Sequence, residues 1–252
     1  MRTDSAAALL DLILPRECAG CGSAGRRFCN VCRQSLEREQ VRPALGQVAG
    51  LPLAAVAQYG GVTRSSLIAY KEHGALAVAA PLGEALAQAV ARLPGLDARC
   101  LTLWLIPAPS GRGVDRRRGA SPMLELAKEA ASALRRRGWR VVVCPAAISV
   151  RHRLDQVGLS ENERRANLSG AIALRPIRIP IDAAIILVDD ISTSGATLTE
   201  LARAVRAGGH IPFGAAVVAL TSAEQHLRLA ATGTNVEVVR ERRPKSVPRS
   251  SI

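Results

Sequence analysis

The sequence predicts an α/β domain with a small cysteine-rich element at its amino end, and three observations predict it. An apolar run rich in β-branched residues, Ala184 to Val188, leads through Asp189 and Asp190 into small and hydroxyl residues, the pattern of a buried strand, a loop and a helix start. A second apolar run, Leu101 to Ile106, is followed by a helical stretch and a further strand, giving a βαβ-like unit. Hydrophobic residues make up 48% of the 252 but aromatic residues only 2%, so the core must be built from Ala, Val, Leu and Ile. Small side chains of that kind suit close approach of helices to a sheet, and the length allows one domain with an appendage.

Taken in order, Met1 to Leu14 contains Ala6–Leu10 and Leu12–Leu14, but Asp11 interrupts the apolar run and Pro15-Arg16-Glu17 lacks a small-residue cleavage pattern. A short amphipathic helix packed on the body is expected there, not a signal peptide. No run approaches the roughly 18 apolar residues of a membrane span, so the chain reads as a soluble, cytoplasmic protein. Four of the six cysteines then arrive as two C-x-x-C pairs, Cys18 with Cys21 and Cys29 with Cys32. Two knuckles this close can surround one tetrahedral zinc with four thiolates, and Gly20 and Gly22 ease the turn. Redox or disulfide pairs are the competing reading, disfavoured because nothing marks the chain as secreted and no thioredoxin-like unit surrounds either pair. A site saturated with protein ligands makes the expected zinc structural.

Arg38 to Leu53 carries Pro43, Gly46, Gly50 and Pro52 and is read as a connector. The predicted organisation is therefore an amino-terminal helix and zinc element over residues 1–42, an α/β domain over 53–239 and a basic, disordered tail over 240–252. Within the domain, Gly60-Gly61 turns the chain, a short helix covers Thr63 to Tyr70, and Leu76 to Leu93 reads as a helix covered on more than one face. Leu101 to Ile106 runs into Pro107-Ala108-Pro109, and prolines hold the chain extended at a strand's end. A helix over Pro122 to Arg137 and a strand over Arg140 to Cys144 follow, with Cys100 and Cys144 as buried hydrophobes. Val150 to Leu168 is polar and arginine-rich, which reads either as a functional lid or as disorder, and Ser160 to Glu163 also fits a capping box opening a short helix. Leu198 to Ala207 is a helix stopped by Gly208-Gly209, and Ile211 to Leu220 is the next strand.

The chemistry is expected where Val188 gives way to the acids and the loop. Small residues at Ser192, Thr193, Ser194, Gly195, Ala196 and Thr197 let backbone N–H groups turn inward, and a helix start adds the positive end of its dipole, so a phosphate fits. Asp189 and Asp190 repel a phosphate but can accept hydrogen bonds from a ribose diol or from water on a magnesium ion. Acid pair and phosphate nest together point to a sugar phosphate. The loop is not a Walker A loop, which needs Gly-Lys-Ser/Thr, nor a Rossmann fingerprint, which needs Gly-x-Gly-x-x-Gly. The 34 Lys and Arg against 21 Asp and Glu, a net +13, favour anionic partners: nucleotide phosphates, pyrophosphate, or DNA or RNA. A solvated basic surface explains the charge equally well, because the aromatic residues that stack on single-stranded bases are almost missing.

The stretch from Val188 to Leu198 resembles the signature of type I phosphoribosyltransferases, which bind 5-phosphoribosyl 1-pyrophosphate (PRPP). With the paired C-x-x-C knuckles, Tyr70-Lys71, Ile106-Pro107-Ala108-Pro109, Arg118-Gly119, Arg153 and Gln156, Leu159-Ser160, and Glu163-Arg164-Arg165 with Asn167, the chain from Pro15 to Leu220 resembles the ComF (competence protein F) family. The resemblance implies a type I phosphoribosyltransferase-like fold, a twisted and mostly parallel sheet flanked by helices, with a zinc-ribbon-like amino-terminal element. It implies magnesium with PRPP, and a transferase that moves the phosphoribosyl group to an unidentified acceptor with release of pyrophosphate, with a link to DNA uptake. It further implies PRPP binding and catalysis at Asp189 and Asp190, a pyrophosphate side at Lys71, Pro107, Ala108, Pro109, Arg118 and Gly119, and a flexible loop bearing Arg153, Gln156, Arg164, Arg165 and Asn167. Arg118-Gly119 leads here into Ala120-Ser121-Pro122 where family members often have a Phe-Asn-Gln-like segment, and Thr193 stands where some purine enzymes carry a third acid. A non-catalytic, nucleic-acid-binding protein of the same fold is the alternative.

Overall fold

The fold is that of a computed structural model, which describes residues 17–39, 44–97, 101–109, 121–150 and 170–221. In chain order these form α1 (Asn30–Glu39), β1 (Ala44–Val48), β2 (Leu51–Gln58), α2 (Gly61–His73), a 3-10 turn (Leu76–Val78), α3 (Ala79–Ala91) and β3 (Thr102–Pro107). Then come α4 (Pro122–Arg136), β4 (Val141–Val143), β5 (Ala147–Ser149), β6 (Ile172–Leu174), β7 (Ala183–Ser192), α5 (Ala196–Ala207) and β8 (Pro212–Leu220). The main sheet has six strands in the order β1-β2-β8-β7-β3-β4. All neighbours run parallel except β1, which pairs antiparallel with β2. The expected α/β architecture, a mostly parallel sheet flanked by helices, is what forms.

Burial on both faces explains why the strands are apolar without interruption. Along β7, Ala184, Ile186 and Val188 pack into the layer that holds α1 to α4. Ile185 and Leu187 pack into the opposite layer with α5 and the β5–β6 hairpin. This is the period-two alternation of a strand, with both phases buried. The small residues do what the composition requires: a Cβ on Gly83 of α3 would collide with Glu129 of α4, so those two helices meet at backbone range.

Three local readings differ from expectation. The stretch read as a connector contains β1 and the start of β2, joined by a tight turn in which Ala49 and Gly50 both have positive φ (52° and 75°). Gly and Pro there mark a hairpin at the sheet edge. The β5–β6 hairpin leaves no legible period in the sequence, since each strand has three residues. Finally, β7 continues through both acids to Ser192, because Asp189, Ile191 and Ser192 keep their parallel register with Val217, Ala219 and Leu220 of β8. The loop is thus shorter than expected, Thr193 to Gly195, and α5 begins at Ala196 rather than at Leu198.

The order of connections locates a crevice. From β3 the chain runs through α4 to β4 at one edge, whereas from β7 it runs through α5 to β8 in the opposite direction, and α4 and α5 lie on opposite faces. Neighbouring parallel strands whose connections diverge leave a gap between them at their carboxyl ends, and this is where open α/β sheets take ligands.

Candidate functional site

The two strand ends that flank the gap are the two that the motifs mark. Pro107 and Val188 form the last pair between β3 and β7, and the Ala108 N–H donates to the Val188 carbonyl at 2.9 Å. Pro107 and Ala108 are buried and Pro109 is half-buried, so this strand end is largely covered where it meets Val188, the residue before the acid pair. Beyond Val188 the carboxylates take over as acceptors: Asp189 Oδ1 accepts the Asp190 N–H at 3.0 Å, and Asp190 Oδ1 accepts the Ile191 N–H at 2.8 Å. Asp190 is buried and Asp189 half-buried.

Past Ser192 the loop is pinned to the end of β8. Thr221 donates its N–H to the Ser192 carbonyl at 3.2 Å and its hydroxyl to the Thr193 carbonyl at 3.4 Å. Gly195, with φ 72° and ψ 4°, takes the left-handed turn that delivers the chain into α5, a conformation that a side chain disfavours. No side chain caps α5. Its first-turn N–H groups therefore point out of the helix at the same edge as the crevice, a geometry suited to an anion. Thr193 is exposed, Ser194 and Thr197 are half-buried, and Ser192, Gly195 and Ala196 are buried.

Lys71 reaches this site from the last turn of α2. Its Nζ lies 2.6 Å from Asp190 Oδ2, with the lysine side chain 47% exposed and the aspartate side chain 6%. The neighbouring Tyr70 is buried and donates its hydroxyl to the Pro122 carbonyl at 2.9 Å. Burial, followed by the nearby charges of Glu125 and Glu129, raises the Tyr70 hydroxyl to about 12, so it remains a donor. In the sequence, Lys71 is singled out only by the family resemblance, and no local signal links it to Asp190.

The cysteines gather into a second candidate centre. The four Sγ atoms of Cys18, Cys21, Cys29 and Cys32 lie within 4.8 Å of one another. Zinc holding sulfurs at about 2.3 Å sets tetrahedral edges of about 3.8 Å, and Cys21 and Cys29 Sγ are 3.9 Å apart. The backbone already treats the sulfurs as anions: Gly20 and Cys29 direct N–H groups at Cys18 Sγ (3.4 and 3.3 Å), and Cys32 directs its own at Cys29 Sγ (3.4 Å). Burial pushes the Cys18 thiol up, but N–H donation from Cys29, Cys21 and Gly20 overrides it and holds the group at about 6. Cys32 is pushed up by burial and by the surrounding sulfurs. Four thiols this close ionise together only around a cation, so the cluster suits a metal ion such as zinc. The element is not a loose appendage, because Cys18, Phe28, Cys32 and Leu36 join the same apolar layer as α2, α3 and α4.

Arg118, Gly119, Arg153, Gln156, Arg164, Arg165, Asn167, Cys100, the amino-terminal segment and the basic tail lie outside the described residues. No helix among the described residues is long and apolar enough to cross a membrane. No family model and no curated protein matches the chain.

Proposed function

We propose that this chain is a ComF-type, phosphoribosyltransferase-like protein that binds PRPP with magnesium and transfers the phosphoribosyl group to a nucleophile, releasing pyrophosphate. The observation that carries the reading is the coincidence of the topological gap between β3 and β7 with the acid pair and the Thr193–Thr197 loop. The strand order owes nothing to the loop's residue types, yet both point to one edge of the sheet. In this reading the 5′-phosphate sits against the Thr193–Gly195 turn and the start of α5, and Asp189 accepts from the ribose diol. The pyrophosphate lies toward Pro107 to Pro109, where Arg118 and Gly119 would extend its contacts.

Asp189, together with phosphate oxygens and water, suits magnesium, which is commonly held by one or two carboxylates plus substrate and not by an all-protein cage. When bound, the ion would neutralise the leaving pyrophosphate. The protein's own part is positional and electrostatic. It fixes the phosphate, orients the ribose, and leaves C1 open to the acceptor as the bond from C1 to the pyrophosphate oxygen breaks. The new bond forms between C1 and the acceptor, which loses a proton. The cysteine element, zinc-ribbon-like, holds its metal structurally and takes no part in the transfer.

The test is calorimetric titration of the zinc-loaded protein with PRPP and magnesium, followed by a pyrophosphate-release screen across nucleobases, ammonia and glutamine. Tight binding with release for one acceptor is the expected result. Binding without release for any acceptor favours the non-catalytic, nucleic-acid-binding reading, and failure to bind either PRPP or ribose 5-phosphate removes the proposal.

A further inference from the structure

We infer that the cysteine cluster is a site of oxidation as well as of metal binding: a peroxide joins Cys21 to Cys29 in a disulfide across the two knuckles, and the zinc leaves. The inference rests on the zinc reading of the cluster and owes nothing to the phosphoribosyl reading. What carries it is that the four sulfurs fall into two unlike pairs. Cys18 and Cys32 are 3% and 1% exposed and belong to the apolar layer shared with α2, α3 and α4. The backbone of Gly20 lies against Cys32, so closely that a Cβ there would stand 2.6 Å from its sulfur. Cys21 is exposed and Cys29 is half-buried, and their Sγ atoms are 3.9 Å apart.

A dissolved oxidant therefore meets Cys21 first. Zinc keeps the sulfur in its thiolate form, which is the form that attacks a peroxide. The surroundings are polar: Ser23 Oγ lies 3.1 Å from the sulfur, and Arg26 and Arg27 follow on the exposed stretch between the knuckles. Reactive cysteines sit in partly exposed, electropositive places of this kind, whereas buried ones are inert.

The Cys21 thiolate attacks one oxygen of hydrogen peroxide, the O–O bond breaks, and a sulfenic acid forms with release of hydroxide. The Cys29 thiolate then attacks the Cys21 sulfur, forming the S–S bond and displacing a second hydroxide. The two hydroxides take two protons from solvent, so two thiolates are oxidised and one peroxide is reduced to two waters. Closing from 3.9 Å to a bond of about 2.05 Å asks for a movement of about 2 Å. Residues 21–27 are all exposed, so no core packing opposes it. Zinc left with Cys18 and Cys32 alone has half its ligands and dissociates. Because Phe28 and Leu36 of the same element lie in the shared layer, oxidation weakens the body of the domain, and reduction of the disulfide restores it.

The experiment treats the full chain, zinc-loaded and checked by elemental analysis, with hydrogen peroxide. Zinc release is followed with the colorimetric chelator 4-(2-pyridylazo)resorcinol, and disulfides are mapped by mass spectrometry of unreduced peptides. The first cross-link to appear should join Cys21 to Cys29, its yield should track the zinc released, and dithiothreitol should restore zinc uptake. Cys21→His keeps four zinc ligands but removes the thiol that reacts first; it should release zinc about tenfold more slowly than the parent, whereas Cys144→Ser should match the parent. Equal release by Cys21→His and the parent overturns the inference. So does a first disulfide within either knuckle, between Cys18 and Cys32, or through Cys100 or Cys144, and so does zinc release that precedes any disulfide. Should Cys21→His fail to hold zinc, the disulfide map of the parent decides alone. A parent chain that takes up no zinc overturns the metal reading and this inference with it, and leaves the PRPP titration untouched.

Discussion

Removing the metal from the cysteine element should lower the stability of the whole domain. Phe28 and Leu36 from that element are buried in the layer shared with α2, α3 and α4, alongside Cys18 and Cys32. Full burial of one such side chain stabilises by about 1.5–3 kcal/mol, so two contribute about 3–6 kcal/mol, against a typical total of about 5–15 kcal/mol for a domain. The turn that carries Phe28 runs between the two knuckles, and without a cation the clustered sulfurs have no reason to stay together. A domain of this size shifts its midpoint by about 2–4 °C per kcal/mol, so stripping the zinc should lower Tm by about 6–24 °C in a single cooperative transition. Calorimetry before and after treatment with a strong chelator measures it, with zinc content checked by elemental analysis and zinc restored at the end. An appendage that melts alone would give a small early transition and leave the main one in place. A main transition moved by less than about 2 °C in protein proven free of zinc would refute the claim that the element shares the core.

Two further predictions concern single side chains. A Cβ on Gly20 would lie 2.6 Å from Cys32 Sγ and 2.8 Å from its Cβ. Gly20→Ala should therefore lose zinc to a competing chelator well before the parent does, at an overpacking cost of about 1–3 kcal/mol; equal retention by variant and parent would count against this arrangement of the four sulfurs. Glu200 on α5 accepts the Ile172 N–H at 3.2 Å and pairs with Arg203 at 2.8 Å, tying the β5–β6 hairpin to the helix. Burial raises its pKa, but the Arg203 hydrogen bond and the Ile172 N–H outweigh that, so the net shift is downward. A lowered folded value means that its stabilisation is complete above the ordinary carboxylate value of about 4.3 and is lost as pH falls through the lower folded value. Glu200→Gln should be less stable than the parent by about 1 kcal/mol at pH 7, a figure discounted for the half-exposed Arg203, and the gap should close in acid. Urea unfolding at neutral pH and at about pH 3 reads it; a gap of the same size at both would assign the effect to packing.

The parts of the fold that were legible in the sequence are those in which one periodicity runs long enough to be seen. The strand through Ile185 to Val188, the helix from Pro122 and the helix stopped by Gly208-Gly209 each carry a local signal, and each forms. What was not legible depends on partners far away in the chain. Ala44–Val48 is a strand only because β2 lies beside it, and Pro and Gly read the same in a linker as in a hairpin. The strand through Asp189 and Asp190 persists because β8 continues to pair with it, which two adjacent acids give no means of anticipating. The cysteine cluster was fully readable because its spacing is itself the geometry.

The ion pair at the end of β7 calls for a reason other than stability. Burying a carboxylate costs several kcal/mol even after relaxation, and a buried pair frequently contributes no more than two well-packed apolar side chains would. Here the cost is reduced by the Ile191 N–H and by a lysine whose other side faces water, so the arrangement is tolerable, but it is not the most stable way to end a strand. A leucine at position 190 could pack against the same layers that already hold Ile186 and Val188. The acid gains its meaning from its address, the carboxyl edge between β3 and β7, where diverging connections open the sheet and an uncapped helix begins after a three-residue turn, Thr193 to Gly195. Negative charge at a strand end beside positive N–H groups at a helix start sets two poles of opposite sign a few residues apart, and the proposed sugar-phosphate ligand is the one whose hydroxyls and phosphate would match them.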